Sequence, residues 1–176
     1  DQKGLGIIKI KKYAEMFGLS HPTGIDLFGE QSGSIPDPAW KKKNFNNEAW
    51  RLGDTYHTVI GQYGVQVTPL QIARGIAAIA NGGFLVKPSL LYSPNHLPAT
   101  SAFKLAVNPD HLRIVREGMR LGVREGTNKG LNSPAVEVAA KTGTAELGET
   151  RAKVNSWVTG FFPYQKPRYA ILLVLE

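Results

Sequence analysis

The stretch at 67–83 constrains the fold most, because its capping residues and its hydrophobicity predict the same element. Thr68 is placed to cap a helix that starts at Pro69, and Gln71 completes a capping box. The residues that follow are apolar at positions 70, 72, 73, 76, 77, 79 and 80, and an Asn-Gly-Gly sequence then ends the pattern. A helix that is apolar on most of its circumference is usually buried. The sequence therefore predicts a central, buried helix over 69–80.

Two other segments carry helical patterns. Residues 7–17 place apolar side chains at helical spacing with lysines between them, and Gly18 supplies a stop. A third helix is predicted with Asn108 as its cap and Pro109 as its first residue. We expect the inward stripe of this helix to consist of Leu112, Val115, Met119 and Val123. We expect its outward side to carry Arg113, Arg116 and Arg120.

The connection between the first two helices is unusually long. Residues 21–47 are rich in Pro, Gly, Asp, Ser and Asn, which predicts an irregular backbone. Irregular segments of this length are uncommon unless they are functional or wrap over another part of the protein.

The C-terminal third changes to a two-residue period, which is typical of strands. The β-rich segments are 136–144, 156–162 and 168–176. The last two are separated only by a short turn at 163–167, and short connections favour antiparallel neighbours. We predict a three-stranded antiparallel sheet packed against the helix at 69–80, which is an α+β fold.

The composition excludes several kinds of site. No cysteine occurs in the 176 residues, which excludes disulfides, thiolate metal ligands and a cysteine nucleophile. The histidines lack ligand spacing with one another or with a carboxylate, so we expect no metal site and no cofactor. These histidines are His21, His57, His96 and His111. The net charge of +7 leaves a nucleic-acid binder open as a distant alternative, although aromatic residues do not interleave with the lysines.

The length fits one domain with a sizeable core, and the apolar runs are too short to cross a membrane. Both ends look cut. The first four residues resemble the middle of a chain, and the last seven still read as a strand. We therefore expect residues 1–176 to be the C-terminal portion of a single larger domain, truncated at both ends.

The segment Lys141-Thr142-Gly143-Thr144 places an ammonium and two hydroxyls on a predicted strand. One interpretation is an ordinary edge strand, in which lysine discourages pairing and glycine marks a bend. A phosphate-binding loop is excluded, because that motif needs glycines where this chain has Ala135 and Ala140.

The other interpretation is a strand that recognises a carboxylate beside a serine nucleophile. A cation attracts a terminal carboxylate, and neighbouring hydroxyls donate hydrogen bonds to it. Gly143 would let a substrate backbone lie along the strand as an added β-strand. The following backbone N–H can then stabilise a developing oxyanion.

Several segments, in order along nearly the whole chain, resemble the transpeptidase domain of class B penicillin-binding proteins. The segments that carry the resemblance are Gly18 to Asp26, Gly33 to Lys41, Trp50 to Thr55, Ile60 to Gln62, Val67 to Ala73, Asn81 to Gly83, Lys141 to Glu146 and Trp157 to Pro163. The Gly-Asp-Thr and Ile-Gly-Gln sequences are most similar to the elongation type, penicillin-binding protein 2. Tyr63 departs from the family by interrupting its usual Ile-Gly-Gln-Gly run, which we interpret as a loop variation.

The resemblance implies part of a penicillin-binding, β-lactamase-like serine transpeptidase fold and a D,D-transpeptidase activity. It implies that Lys141 and Thr144 are catalytic, with Thr144 donating its backbone N–H to the oxyanion. Lys141, Thr142, Gly143 and Thr144 would bind the substrate. The implied partners are a D-Ala-D-Ala stem peptide, β-lactam antibiotics and other cell-elongation proteins, with no nucleic acid. The implied location is the outer face of the cytoplasmic membrane, held by an anchor that this chain lacks.

The family's nucleophile lies in a Ser-x-x-Lys motif that is followed by Ser-x-Asn, both well before Lys-Thr-Gly. This chain contains Ser101-Ala102-Phe103-Lys104 and Ser93-Pro94-Asn95, but their order is reversed. Such patterns also arise by chance in a chain of this length. We therefore expect neither to be catalytic, and we expect this chain to be inactive without a serine supplied elsewhere in the gene product.

Three alternatives remain open from the residues. The first alternative is that the chain is a non-catalytic module that binds peptides or other carboxylates and comes from a truncated or degenerate relative. The second alternative is that the chain is a β-lactamase or carboxypeptidase relative that shares the Lys-Thr-Gly triplet, although the long connection at 21–47 disfavours this. The nucleic-acid binder is the third.

Overall fold

The computed structural model describes residues 4–91, 102–148 and 153–176. The helices are α1 (Gly6–Met16), α2 (Pro38–Asn44), α3 (Leu52–Val59), α4 (Pro69–Ala80) and α5 (Pro109–Arg124), with a short 3-10 turn at Lys129–Leu131. The strands are β1 (Phe84–Leu85), β2 (Phe103–Lys104), β3 (Ala139–Leu147), β4 (Lys153–Phe162) and β5 (Tyr169–Leu175). Within these ranges, no helix combines the length and the hydrophobicity that a membrane span requires.

Helix α4 forms where the sequence predicts it, and both hydrogen bonds of the capping box are present. The Gln71 backbone N–H donates to the Thr68 hydroxyl at 3.2 Å, and the Gln71 side chain accepts from the Thr68 N–H at 2.9 Å. Gln71 is fully buried, and its amide group also donates to the carbonyls of His21 and Ser32. The irregular connection that follows α1 is therefore fastened to the central helix, as the wrapping prediction requires.

The three-stranded sheet confirms the predicted antiparallel arrangement. The strand order is β3-β4-β5, and both pairs are antiparallel. Lys141 lies opposite Thr159 and Gly143 lies opposite Trp157 in the register of β3 with β4. In the described ranges, the outer edge of β3 pairs with no other strand.

Helices α4 and α5 cover the sheet through two small apolar clusters. One consists of Ala80, Met119, Ala139 and Phe161, and the other of Val123, Val138 and Ala140. The first cluster joins the end of α4 to α5 and the sheet, and the second joins the last turn of α5 to β3. The α+β fold predicted from the sequence is confirmed.

The prediction for the faces of α5 was partly wrong. Leu112, Met119 and Val123 are buried as predicted, but Val115 is 45% exposed. Arg116 and Arg120 are not on the outside. These two side chains flank the buried stripe on the side where the sheet lies, whereas Val115 lies on the other flank.

Both arginines make contacts that explain their burial. The Arg116 guanidinium lies 5.5 Å from the centre of the Phe161 ring and donates to the Tyr164 carbonyl at 2.8 Å. Arg120 donates to the Val138 carbonyl at 3.1 Å. Long side chains bury their stems while the charged ends find partners at the rim of the core. Arg113 is exposed as predicted.

Helices α2 and α3 were not predicted. In α2 the signal was present, because Asp37 caps the helix by accepting from the Trp40 N–H at 2.7 Å and Pro38 is its first residue. In α3 no apolar stripe marks an inward face. Leu52, Tyr56 and Val59 are exposed, whereas the buried side chains are those of Thr55 and Thr58.

Candidate active site

A groove of about 600 Å³ runs between strand β3 and the N-terminal helices. On the sheet side it is lined by β3 and β4. The facing side, which we call the opposite wall, consists of residues 58–61 and 65–67. Ile10 and Ala14 of α1, together with Leu19, Ile35 and Ile72, complete an apolar floor. The lysine and most of the hydroxyls therefore lie on the sheet side, whereas aliphatic side chains predominate on the opposite wall and the floor.

All four residues of the predicted site line this groove. Lys141 is exposed and its ammonium lies 2.5 Å from its neighbour's carbonyl, that of Thr142. In the parts of the chain that the structure describes, Lys141 forms no ion pair. Its positive charge is therefore available to an anion that enters the groove.

The backbone of β3 presents polar groups along its free edge. The Ala140 carbonyl accepts from the Asn128 side chain and the Thr142 carbonyl from Lys141, so both point away from β4. In an antiparallel strand, the N–H and C=O of one residue share a direction and successive residues alternate. Thr144 therefore also directs its backbone N–H away from β4. This N–H is the group predicted to donate to an oxyanion.

Gly143 lies on β3 opposite Trp157. A Cβ atom added to Gly143 would meet only the Trp157 Cβ, at 3.6 Å, which is ordinary van der Waals contact. The packing within the described chain therefore does not require glycine at this position. The space beside Gly143 is available to a ligand that lies against the strand.

Sequence reasoning missed two residues that contact this strand from the end of α5. The Thr127 hydroxyl lies 2.9 Å from the Thr142 hydroxyl. Asn128 is 4% exposed, and its amide donates to the Ala140 carbonyl at 3.1 Å. The Asn128 backbone N–H also donates to the Gly122 carbonyl, so this residue joins α5 to the residue that precedes Lys141.

The packing at this joint is close. A Cβ atom on Gly122 would come within 3.2 Å of the Ala140 carbonyl oxygen. A Gly-Thr-Asn sequence after a helix reads only as a stop signal, which explains why these contacts were not predicted.

Of the serine, asparagine and lysine residues in the two motifs that we rejected, the structure describes only Lys104. Ser93, Asn95 and Ser101 lie outside the described residues. Lys104 is described, and its ammonium donates to the Gly82 carbonyl at 2.6 Å and lies 4.3 Å from the Phe84 ring centre. Lys104 is not among the residues that line the groove.

The histidines that the structure describes do not form a metal site. Among the described residues, no group of three or more His, Cys, Asp or Glu side chains is arranged to hold a metal ion. His96 lies outside the described residues.

Comparison with known proteins identifies the family. The family model described as the penicillin binding protein transpeptidase domain matches residues 2–176. The chain belongs to this family. Its relatives include several of the penicillin-binding protein 2 type, as the Gly-Asp-Thr and Ile-Gly-Gln sequences predicted.

The peptidoglycan D,D-transpeptidase MrdA of Escherichia coli is 31% identical over 98% of this chain and 31% of its own length. The penicillin-binding protein PBP2 of Helicobacter pylori, solved in complex with MreC, is 34% identical with a TM-score of 0.82, over 98% of this chain and 32% of its own. A structure of a peptidoglycan synthase complex that coordinates polymerization and crosslinking matches at 31% identity and a TM-score of 0.83. It covers 99% of this chain and 30% of that chain. This chain therefore spans about a third of the length of these relatives.

Proposed function

We propose that this chain forms the carboxylate-binding part of a peptidoglycan D,D-transpeptidase. The observation that supports this most directly is the free edge of β3. Along this edge, a lysine that forms no ion pair with any described residue, two threonines and an outward backbone N–H line one groove. These groups can capture a peptide that ends in a carboxylate and can stabilise the oxyanion that forms during acyl transfer.

Each residue of the segment has a distinct role in this proposal. The Lys141 ammonium attracts the terminal carboxylate, and the hydroxyls of Thr142 and Thr144 donate hydrogen bonds to it. Gly143 leaves room for the substrate backbone to pair with the strand edge. The Thr144 N–H stabilises the negative charge that develops on the carbonyl oxygen under attack.

The reaction needs a serine that lies elsewhere in the gene product. Its hydroxyl oxygen forms a bond to the carbonyl carbon of the penultimate D-Ala, and the peptide bond to the terminal D-Ala breaks. The hydroxyl proton passes through a base to the departing amine. The amine nitrogen of a neighbouring peptidoglycan strand then bonds to the acyl carbon, the ester bond to the serine oxygen breaks, and a proton from the amine returns to that oxygen.

The apolar part of the groove supports a serine supplied from outside this chain. The opposite wall and the floor consist largely of aliphatic side chains, including Ile10, Ile35 and Ile72. A solvent-exposed peptide substrate does not need so much apolar surface, whereas a packed protein segment does. We infer that the segment with the nucleophile packs here, facing Lys141.

The partners follow from the same proposal. β-Lactams, which imitate a D-Ala-D-Ala terminus, would acylate the same serine. Proteins of the cell-elongation machinery are the expected assembly partners, because the Helicobacter pylori relative was solved in complex with MreC. The expected location is the outer face of the cytoplasmic membrane.

The test uses the full-length protein that contains this chain and a fluorescent penicillin as the probe. Lys141→Ala removes a charge-assisted contact of about 1.5–3 kcal/mol, so we expect acylation to slow roughly 10- to 100-fold. Lys166→Ala is the matched control, because Lys166 is also an exposed lysine but lies in the turn between β4 and β5.

Unchanged acylation of the Lys141→Ala variant would refute the role of this lysine. The isolated chain should form no covalent adduct in an intact-mass measurement. Reversible peptide binding by a full-length protein that is never acylated would instead support a non-catalytic module.

A further inference from the structure

A buried ion pair lies behind the opposite wall of the groove. Lys41 of α2 is 3% exposed, and its ammonium lies 2.7 Å from a carboxylate oxygen of Asp54 in α3. Glu48 approaches the same ammonium at 3.6 Å. Buried lysines and aspartates occur almost only as pairs, because an unpaired charge is costly to remove from water.

Tyr63 completes this cluster from the turn that follows α3. The Lys41 ammonium lies 5.9 Å from the centre of its ring, and the Tyr63 side chain contributes to the pKa shifts of both Lys41 and Asp54. Its ring lies 5.6 Å from the ring centres of Trp40 and Phe45. The backbone of Tyr63 has a φ of 59°, a left-handed conformation that non-glycine residues adopt only when their surroundings hold them there.

The charges of the pair are stable over a wide pH range. The hydrogen bond with Asp54 raises the pKa of Lys41. Burial alone would raise the pKa of Asp54, but hydrogen bonds from Lys41 and the Arg51 N–H lower it below its usual value. Both partners therefore remain ionised around neutral pH.

The cluster is directly connected to the opposite wall. The Thr58 hydroxyl, at the groove, donates to the Asp54 carbonyl at 2.8 Å. On the other side of Tyr63, a Cβ atom on Gly64 would come within 2.4 Å of the Trp40 ring, so this turn lies tightly against α2. Ser34 and Gln66 then exchange two backbone hydrogen bonds, of 2.7 and 2.9 Å.

We propose that Lys41, Asp54 and Tyr63 are positioning residues that fix the opposite wall at its distance from Lys141. None of the three is among the described residues that line the groove, and they act through residues 58–61 and 65–67, which are. This inference rests on the proposed function, because it concerns the geometry of the same groove.

A buried ion pair suits such a role better than it suits stabilisation. Replacing buried ion pairs by apolar or neutral side chains often leaves protein stability unchanged. A short charged contact, however, is satisfied in only one arrangement of its two helices and the turn. Neutral replacements should therefore keep the fold and lose the fixed spacing.

The experiment measures acylation of the full-length protein by a fluorescent penicillin, separating reversible binding from the first-order chemical step. The double variant Lys41→Met/Asp54→Asn should melt close to the parent and should acylate about 10-fold more slowly, because small misplacements at a reacting centre are costly. The loss should appear in the first-order step, since the contacts of β3 with the carboxylate remain. Tyr63→Phe, which removes one hydroxyl, should lose about 3-fold in the same step.

Leu105→Ala is the control for a purely structural effect. Leu105 is buried with Ala78 and Leu85, away from the groove. This variant should melt at a lower temperature, yet the folded protein should acylate at the parent rate. The proposal is overturned if both Tyr63→Phe and the double variant acylate normally. It is also overturned if Leu105→Ala slows the first-order step as much as they do.

These outcomes separate this inference from the proposed function. A parent protein that is never acylated contradicts both. Acylation that depends on Lys141 but not on Lys41, Asp54 or Tyr63 contradicts the positioning role alone.

Discussion

The two sides of the groove are built by different physical means. Strand β3 is regular, and the four residues of the proposed site form one continuous segment of it. The opposite wall is mostly irregular backbone, held by contacts between residues that are distant in sequence. Ser34 pairs with Gln66, and Lys41 pairs with Asp54.

The two sides therefore contribute different properties: β3 provides the polar groups of the groove, and the opposite wall determines the distance across it. A regular strand fixes the direction of each side chain and each N–H, so a short motif is enough to specify what β3 offers. An irregular segment has no regular alternation of side chains. In our proposal, the distance of the opposite wall from β3 depends on the cluster of Lys41, Asp54 and Tyr63. We therefore expect substitutions on β3 to remove groups that bind the substrate. Substitutions behind the opposite wall should change only the position of the wall relative to those groups.

The strongest way to break this comparison is to remove the outward N–H of β3. Thr144→Pro should retain the fold, because proline is tolerated where a strand N–H does not face a neighbour. Losing an oxyanion donor should slow acylation of the full-length protein about 100- to 1000-fold. Thr144→Val, which removes the hydroxyl and keeps the N–H, should be affected much less.

The matched control for Thr144→Pro is Ala145→Pro, one residue further along the strand. The Ala145 N–H faces β4 by the same alternation, so proline there should lower the melting temperature. If both proline variants lower the melting temperature equally, the directions assigned to the Thr144 and Ala145 N–H groups are wrong.

Much of the fold could be predicted because local and long-range signals agree. The capping residues of α4 and the two-residue period of the sheet each specify their own element, and the structure contains both. Helix α3 was not predicted, because its hydrophobic pattern does not match its burial in the structure. Its exposed apolar residues point away from the core of the described chain, while threonines are buried.

The site could be predicted only in part, for the same reason. Lys141 to Thr144 were predicted from their order along a strand, and the structure places all four along one groove. Asn128 and Tyr63 were not, because their importance comes from partners distant in sequence. Tyr63 was interpreted as a loop variation; the structure places it in a turn, where its ring packs against those of Trp40, Phe45 and Trp50.

A smaller effect is expected at the joint between α5 and β3. Asn128→Ala would leave the buried Ala140 carbonyl without its side-chain donor, which costs about 1–3 kcal/mol. The free energy of unfolding of the full-length domain should fall by that amount, and acylation should slow because β3 is less firmly held. Asn132→Ala, at an exposed asparagine just beyond the 3-10 turn, is the control and should change neither quantity.

The smallest effect tests whether β3 reserves space for a ligand. Gly143→Ala should leave stability within about 0.5 kcal/mol, since its new methyl group meets only ordinary contact with Trp157. Acylation should slow about 3- to 10-fold, because the methyl occupies the place of the substrate backbone. Gly160→Ala is the contrasting variant, in which a Cβ atom would lie 2.5 Å from the Ala139 carbonyl oxygen and should destabilise the sheet. If Gly143→Ala binds and reacts with the penicillin as fast as the parent, no substrate lies against this strand, and the groove serves only for packing.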